Sequence, residues 1–194
     1  MDSNKQGITN ALTQYAIDLL SIVLPFAAPT VDLARSISET LLCQKLYQVL
    51  TKQDADFEEW LKFSENFDSD NRNYEKTVRQ LIYTIEAINE IDMLDIYANL
   101  LRSYKAGSIA KSDFFRLGWV LSNIFSMDLM YLNECKQQIN ISESPVVKRL
   151  EQYGLVRIVK SEVLFNTGVK NIYMLSELGE KMISYGINCE SQNG

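Results

Sequence analysis

The sequence predicts a mainly α-helical protein with one small β-hairpin near its C-terminal end. Apolar residues recur every three or four positions through most of the chain, which is the period of one helix face. Only the stretch 155–176 alternates with the period of a strand and is rich in β-branched residues. The composition agrees with this fold class, because three Pro and eight Gly in 194 residues leave room for long helices joined by short loops.

The first two predicted helices form an apolar hairpin around Pro25 and Pro29. The uncharged run from Leu19 to Val31 has 13 residues and contains both prolines, whereas a transmembrane helix needs about 20 apolar residues, so a membrane span is disfavoured. The hairpin could be buried core, a self-association surface or a segment that inserts conditionally into membranes. A homodimer is expected, and the candidate self-association residues are Leu19, Leu20, Val23, Leu24 and Phe26.

The middle of the chain repeats the helical period. Leu81, Ile85 and Ile88 fit one face of a long helix, and Leu94 and Leu101 fit the inner face of the next, which Gly107 is expected to end. These segments complete a predicted N-terminal helical bundle over residues 1–107.

Three shorter helices are predicted before the hairpin. Ser112 and Ser126 are the expected N-caps of the first two, with Phe115, Leu117, Leu121, Ile124 and Phe125 facing inward from the first. Pro145 opens the third helix, and Gly154 stops it. After the strands, Ser176 is expected to cap a closing helix.

This order of elements, with the pattern LxxxGLV…YxLSxxG, resembles the end of many winged-helix domains. The matching residues are Leu150, Gly154, Leu155, Val156, Tyr173, Leu175, Ser176 and Gly179. The resemblance implies a winged helix-turn-helix-like unit over residues 108–187. Residues 188–194 are expected to form a disordered tail. It also implies where nucleic acid or a protein partner would touch the unit, and those positions are Lys148, Arg149, Gln152, Lys160 and Lys170.

Charge disfavours the nucleic-acid use of this surface. Residues 1–144 hold 13 basic against 20 acidic residues, a net charge of −7, and residues 145–194 hold 6 against 5, a net charge of +1. Non-specific DNA binding draws on clustered Lys and Arg, which this chain lacks. DNA binding therefore stays possible but disfavoured, and a protein partner is the expected use.

Several chemistries have no residues to support them. The chain has no His, so a Ser-His-Asp or Cys-His site cannot be built from it alone. The three Cys residues are far apart and odd in number, which argues against a disulfide framework and favours a reducing cytoplasm. The main nucleotide-binding and hydrolase motifs are absent from the sequence. We therefore expect a non-enzymatic protein without a metal ion or cofactor.

The upstream body resembles a group of helical proteins of bacterial and phage genomes, some of them similar to abortive-infection proteins. The matching features are the Pro-broken apolar segment Leu24–Ala34, the pair Lys45 and Leu46, the turn at Lys105–Leu117 and the segment Met127–Leu132. The resemblance implies a role in phage defence or counter-defence. Three hypotheses follow: a protein-interaction module of bacterial or prophage origin, a winged-helix transcriptional regulator, and a membrane-permeabilising defence effector that acts through residues 8–34.

Overall fold

A computed structural model of the chain describes residues 41–51, 71–138, 140–164 and 168–188. These residues form a mainly helical protein with a small three-stranded antiparallel sheet. They fall into two compact units, one up to Asp95 and one from Ile96 onward. The α-helices are α1 (Leu41–Thr51), α2 (Asn71–Ala87), α3 (Ile91–Lys105), α4 (Lys111–Leu121), α5 (Ser126–Glu134), α6 (Pro145–Gln152) and α7 (Glu177–Lys181). A 3-10 helix (Cys135–Gln137) follows α5, and a π-helix (Met182–Ile187) follows α7. The strands are β1 (Ile141–Ser142), β2 (Val156–Leu164) and β3 (Gly168–Leu175).

The unit up to Asp95 has an apolar core held by two polar contacts. Predicted core positions of α2 are buried, and among the described residues of this unit the buried apolar ones are Leu46, Val49, Leu81, Ile85, Ile88, Met93 and Leu94. The Lys45 ammonium, which is itself buried, donates to the Glu86 carbonyl at 2.7 Å. The Gln48 side-chain amide donates to the Asp95 carboxylate at 2.7 Å. Both contacts give a buried or half-buried polar group the partner that it needs.

The unit from Ile96 onward begins with a helix end that the sequence predicted. Gly107 follows α3 with a φ of +72°, the left-handed conformation that glycine adopts at little cost. The Ser108 amide then donates to the Ser103 carbonyl at 2.8 Å and closes the helix end. The predicted start of α4 at Ser112 was wrong, because α4 begins at Lys111 after an extended Ala110.

Helix α5 also begins without the predicted cap. Phe125 occupies the N-cap position in an extended conformation, and Ser126 is the first helical residue. Because Phe125 is a cap residue, it does not continue the inner face of α4, and its side chain is 65% exposed. The prediction that it faces inward was therefore wrong. In α4 the aromatic position that reaches the core is Phe114, which is fully buried, rather than Phe115.

The sheet has the strand order β1-β3-β2, and both pairs are antiparallel. The hairpin of β2 and β3 lies where the alternating pattern predicted it. The third strand, β1, was not predicted; it pairs Ile141 with Tyr173 and Ser142 with Ile172. Two residues are too few to show a period of two, so β1 carries no pattern of its own. The pairing shifts register between Ile158 and Lys160, which makes Val159 the extra residue of a bulge.

The motif residues around Gly154 and Ser176 hold the end of α6 against the start of α7. Gly154 has a φ of +73°, and the next amide, that of Leu155, donates to the Leu150 carbonyl at 2.9 Å. The Ser176 hydroxyl donates to the Gly154 carbonyl at 2.6 Å and accepts from the Gly179 amide at 3.0 Å. The predicted cap at Ser176 is therefore confirmed, and this cap also ties the two helix ends together.

Some predictions fall outside the described residues. The apolar hairpin around Pro25, with Leu19, Leu20, Val23, Leu24 and Phe26, lies there, as do residues 189–194 of the predicted tail. In the described ranges, no helix combines the length and the apolar character needed to cross a membrane.

Candidate interaction surface

Helix α6 and the hairpin carry the five residues predicted to contact nucleic acid or a partner. Ser144 caps α6 by accepting from the Val147 amide at 3.2 Å, and Val147 and Leu150 bury its inner face. The remaining positions of this short helix include Lys148, Arg149 and Gln152. On the hairpin, Lys160 lies on β2 and Lys170 lies on β3.

Arg149 is committed to an ion pair inside the unit. Its Nε and Nη2 atoms donate to the two oxygens of Asp128 on α5, each at 2.7 Å. The Asp128 side chain is 3% exposed, whereas that of Arg149 is 41% exposed. A bidentate hydrogen-bonded ion pair of this kind fixes the plane of the Arg149 guanidinium. Arg149 therefore joins α5 to α6, and its donors facing Asp128 are not available to a base edge.

Lys148 is also paired, but near the surface. Its Nζ lies 2.7 Å from a carboxylate oxygen of Glu143, and the other Glu143 oxygen accepts from the Asn171 backbone amide at 3.1 Å. These two donors lower the pKa of the Glu143 carboxyl below its ordinary value, and Lys148 has the larger effect. Glu143 thus links α6 to β3, and it offsets the charge that Lys148 would offer to a phosphate.

The charges on the hairpin alternate in sign. Lys160 lies 2.6 Å from Glu162, and Glu162 is paired across the hairpin with Lys170. Both lysines lower the pKa of the Glu162 carboxyl, and Lys160 has the larger effect. The two predicted wing lysines, Lys160 and Lys170, therefore lie on one face of the hairpin, and the Glu162 carboxylate on the same face offsets their positive charge. Gln152 is exposed on α6.

Exposed apolar side chains that the sequence did not single out as contact residues lie in the segment that precedes α6 in the chain. Four large side chains in the segment 119–130 are more than half exposed: Trp119 at 56%, Phe125 at 65%, Met127 at 70% and Met130 at 64%. We call them the exposed apolar segment. Met127 and Met130 are three residues apart on α5, so they share a helix face, opposite to the buried Leu129 and Leu132.

The exposed apolar segment is anchored to α6 at one end. The Trp119 and Tyr153 rings have centroids 6.0 Å apart and are tilted by 57°. The Tyr153 hydroxyl donates to the Asn123 carbonyl at 2.6 Å, and the Asn123 side-chain amide donates to the Trp119 carbonyl at 2.8 Å. A signal for this surface was present in the sequence, because the helical period that buries Leu129 and Leu132 sends both methionines outward.

The chemistry available in the described residues is limited. Cys135 is fully buried, and burial raises the pKa of its thiol, so the reactive thiolate is disfavoured. Among the residues that the structure describes, no group of three or more His, Cys, Asp or Glu is placed to hold a metal ion. Searches with protein-family models, among curated proteins and among solved structures find no match to this chain.

Proposed function

We propose that this chain is a non-catalytic protein-interaction module that binds a protein partner through the exposed apolar segment 119–130. The observation that carries the proposal is the exposure of Trp119, Phe125, Met127 and Met130 within one short stretch. Large apolar side chains grouped on a surface mark interaction sites more often than single exposed ones do. Tryptophan and methionine are also enriched in protein interfaces, and tryptophan often contributes most to affinity.

The proposed scaffold is a winged-helix-like unit adapted to protein binding. Support comes from the order of elements, since α4, α5 and α6 precede a hairpin whose ends are tied by the Ser176 cap. One feature suits DNA recognition poorly. A DNA-binding helix-turn-helix joins its helices by a turn of about three or four residues, whereas residues 135–144 separate α5 from α6 and include β1.

The proposed biological setting is phage defence or counter-defence in a bacterial or prophage context. It rests on the resemblance of the segments at Lys105–Leu117 and Met127–Leu132 to helical proteins of bacterial and phage genomes. The second of these segments overlaps the exposed apolar segment at residues 127–130. The partner is thus expected among proteins of the host cell or of the infecting phage.

The proposal is tested by affinity capture with matched variants. The full-length chain is used as bait in bacterial cells with and without phage infection, together with the double variant Met127→Asp/Met130→Asp. Ile91→Asp serves as the control, because Ile91 is similarly exposed at 66% but lies in the other unit. We expect a protein that the wild type and the control capture and that the double variant loses. Circular dichroism checks that all three proteins fold.

The partner is then confirmed with purified components. Titration calorimetry should give a dissociation constant at least about 100-fold weaker for the double variant, which corresponds to losing about 2.7 kcal/mol of apolar contact. Equal capture by wild type and double variant would overturn the assignment of the surface. Loss of capture by all three baits would argue against a protein partner in those cells.

A further inference from the structure

The outer edge of β2 is open to pairing. The strand order β1-β3-β2 places β2 at one side of the sheet, and within the described residues it pairs only with β3. Five consecutive positions of this strand are exposed, and they are Arg157, Ile158, Val159, Lys160 and Ser161. An exposed edge strand presents backbone N–H and C=O groups that another strand can use. Its two apolar members, Ile158 and Val159, are 41% and 44% exposed.

The sequence of β2 is self-complementary about Ser161. Residues at equal distances before and after Ser161 are complementary. The residues one position away carry opposite charges, and those two and three positions away are apolar on both sides. The pairs are Lys160 with Glu162, Val159 with Val163, and Ile158 with Leu164. When two copies of a strand pair antiparallel about a residue, each position lies opposite its counterpart across that residue. In the regular part of β2, self-pairing about Ser161 would therefore set each Lys160 opposite a Glu162 of the other copy.

We propose that β2 pairs antiparallel with β2 of a second copy of this chain, about a two-fold axis at Ser161. Lys160 and Glu162 lie on the same face of the strand, because they are two residues apart. Each Lys160 then lies opposite the Glu162 of the other copy, and the two existing 2.6 Å contacts within the chains complete a ring of four alternating charges. Lys170, paired with Glu162 from β3, extends the alternation across the sheet.

Neighbouring registers are less favourable. An axis at Glu162 would place the two Glu162 carboxylates opposite each other. An axis at Lys160 would place the two Lys160 ammonium groups opposite each other. Like charges in direct opposition destabilise a strand pair. The bulge at Val159 limits the regular part of β2 to residues 160–164. Bulges restrict pairing at sheet edges, so we expect a short pairing and a weak dimer, with a dissociation constant in the micromolar range.

A charge swap tests the register. Sedimentation equilibrium of the full chain should show a reversible monomer–dimer equilibrium. Lys160→Glu and Glu162→Lys each place like charges opposite each other twice, and each should weaken the dimer at least about tenfold. The double variant Lys160→Glu/Glu162→Lys restores every pair and should restore dimerisation. Lys136→Glu is the control, because Lys136 is an exposed lysine that lies outside the sheet.

Cysteine cross-linking tests the position of the axis. In a chain with Cys43 and Cys189 replaced by Ser, Ser161→Cys places two cysteines directly opposite each other, with Cβ atoms about 4.5 Å apart, at the upper end of disulfide geometry. Arg157→Cys is the control, because its two copies would be about 26 Å apart. We expect oxidation to link only the first variant. A monomer at all concentrations, a dimer unaffected by the single reversals, or a dimer lost only on deleting residues 1–30 would each overturn the proposal.

Discussion

Arg149 has a role that its position in the sequence does not reveal. An arginine on the exposed side of a predicted recognition helix suggests contact with DNA, and the sequence gives no sign that Asp128, 21 residues earlier, comes within 2.7 Å of it. The helical pattern around Asp128 does not predict its burial either, because aspartate side chains are usually exposed and are buried only when they are paired. Pairings between helices depend on tertiary packing, so sequence periodicity predicted the helices but could not predict this contact.

The Arg149–Asp128 pair gives a prediction about stability. Arg149→Ala leaves the buried Asp128 carboxylate without its two donors, and a buried acceptor left in this way costs about 2 kcal/mol. Asp128→Asn should cost less, because a guanidinium that is 41% exposed can bind water instead. Urea unfolding followed by circular dichroism measures both. Lys148→Ala is the control and should leave the unfolding midpoint nearly unchanged. Equal effects of Arg149→Ala and the control would contradict a structural role for Arg149.

At the level of elements, the glycine signals for helix ends were more informative than the serine signals for helix starts. Gly107 and Gly154 end their helices with positive φ values, and Ser176 accepts the amide bond expected of an N-cap. The signals at Ser112 and Ser126 were misleading, because the N-cap positions are Ala110, two residues earlier, and Phe125, one residue earlier, and neither uses a side-chain cap. A cap residue is favoured at a helix start but not required, since water can satisfy exposed amides.

Gly179 gives a prediction at the same scale. A Cβ at Gly179 would collide with the Leu155 carbonyl oxygen, and the colliding atom is backbone that cannot rotate away. We expect Gly179→Ala to lower the free energy of unfolding by about 3 kcal/mol. Gly107→Ala is the matched control: its φ is +72° and no atom lies within 4 Å of the added Cβ, so only the backbone cost of about 1 kcal/mol applies. Urea unfolding that ranks the two variants equally would show that α7 can move away from Leu155.

For the whole molecule, the fold class was easier to predict than the site. The mainly helical architecture and the hairpin follow from local periodicity, which each segment carries by itself. The exposed apolar segment depends on which residues of α4 and α5 the rest of the unit covers, and Phe125 shows the limit: its apolar character predicted burial, whereas its place as a cap residue exposes it. The predicted dimer contact at residues 19–26 remains a prediction.

The last prediction concerns DNA. The chain carries a net charge of −6, and three of the five predicted contact residues, Lys148, Arg149 and Lys160, each have a carboxylate within 2.7 Å. Counterion release requires cations that can neutralise phosphates, and a lysine already paired with a carboxylate gains less from a phosphate. In fluorescence anisotropy with a random duplex at about 150 mM salt, we therefore expect no sub-micromolar binding.

The matched variant for this experiment is Lys148→Glu/Lys160→Glu/Lys170→Glu, which spares the structural Arg149. Because the wild type should have no appreciable affinity to lose, the triple variant should give the same flat titration, and lowering the salt should reveal only a weak, shallow salt dependence. The regulator hypothesis makes the opposite prediction. It requires tight binding at about 150 mM salt that the triple variant abolishes, with a steep salt slope in the wild type, and that result would replace the protein-interaction proposal.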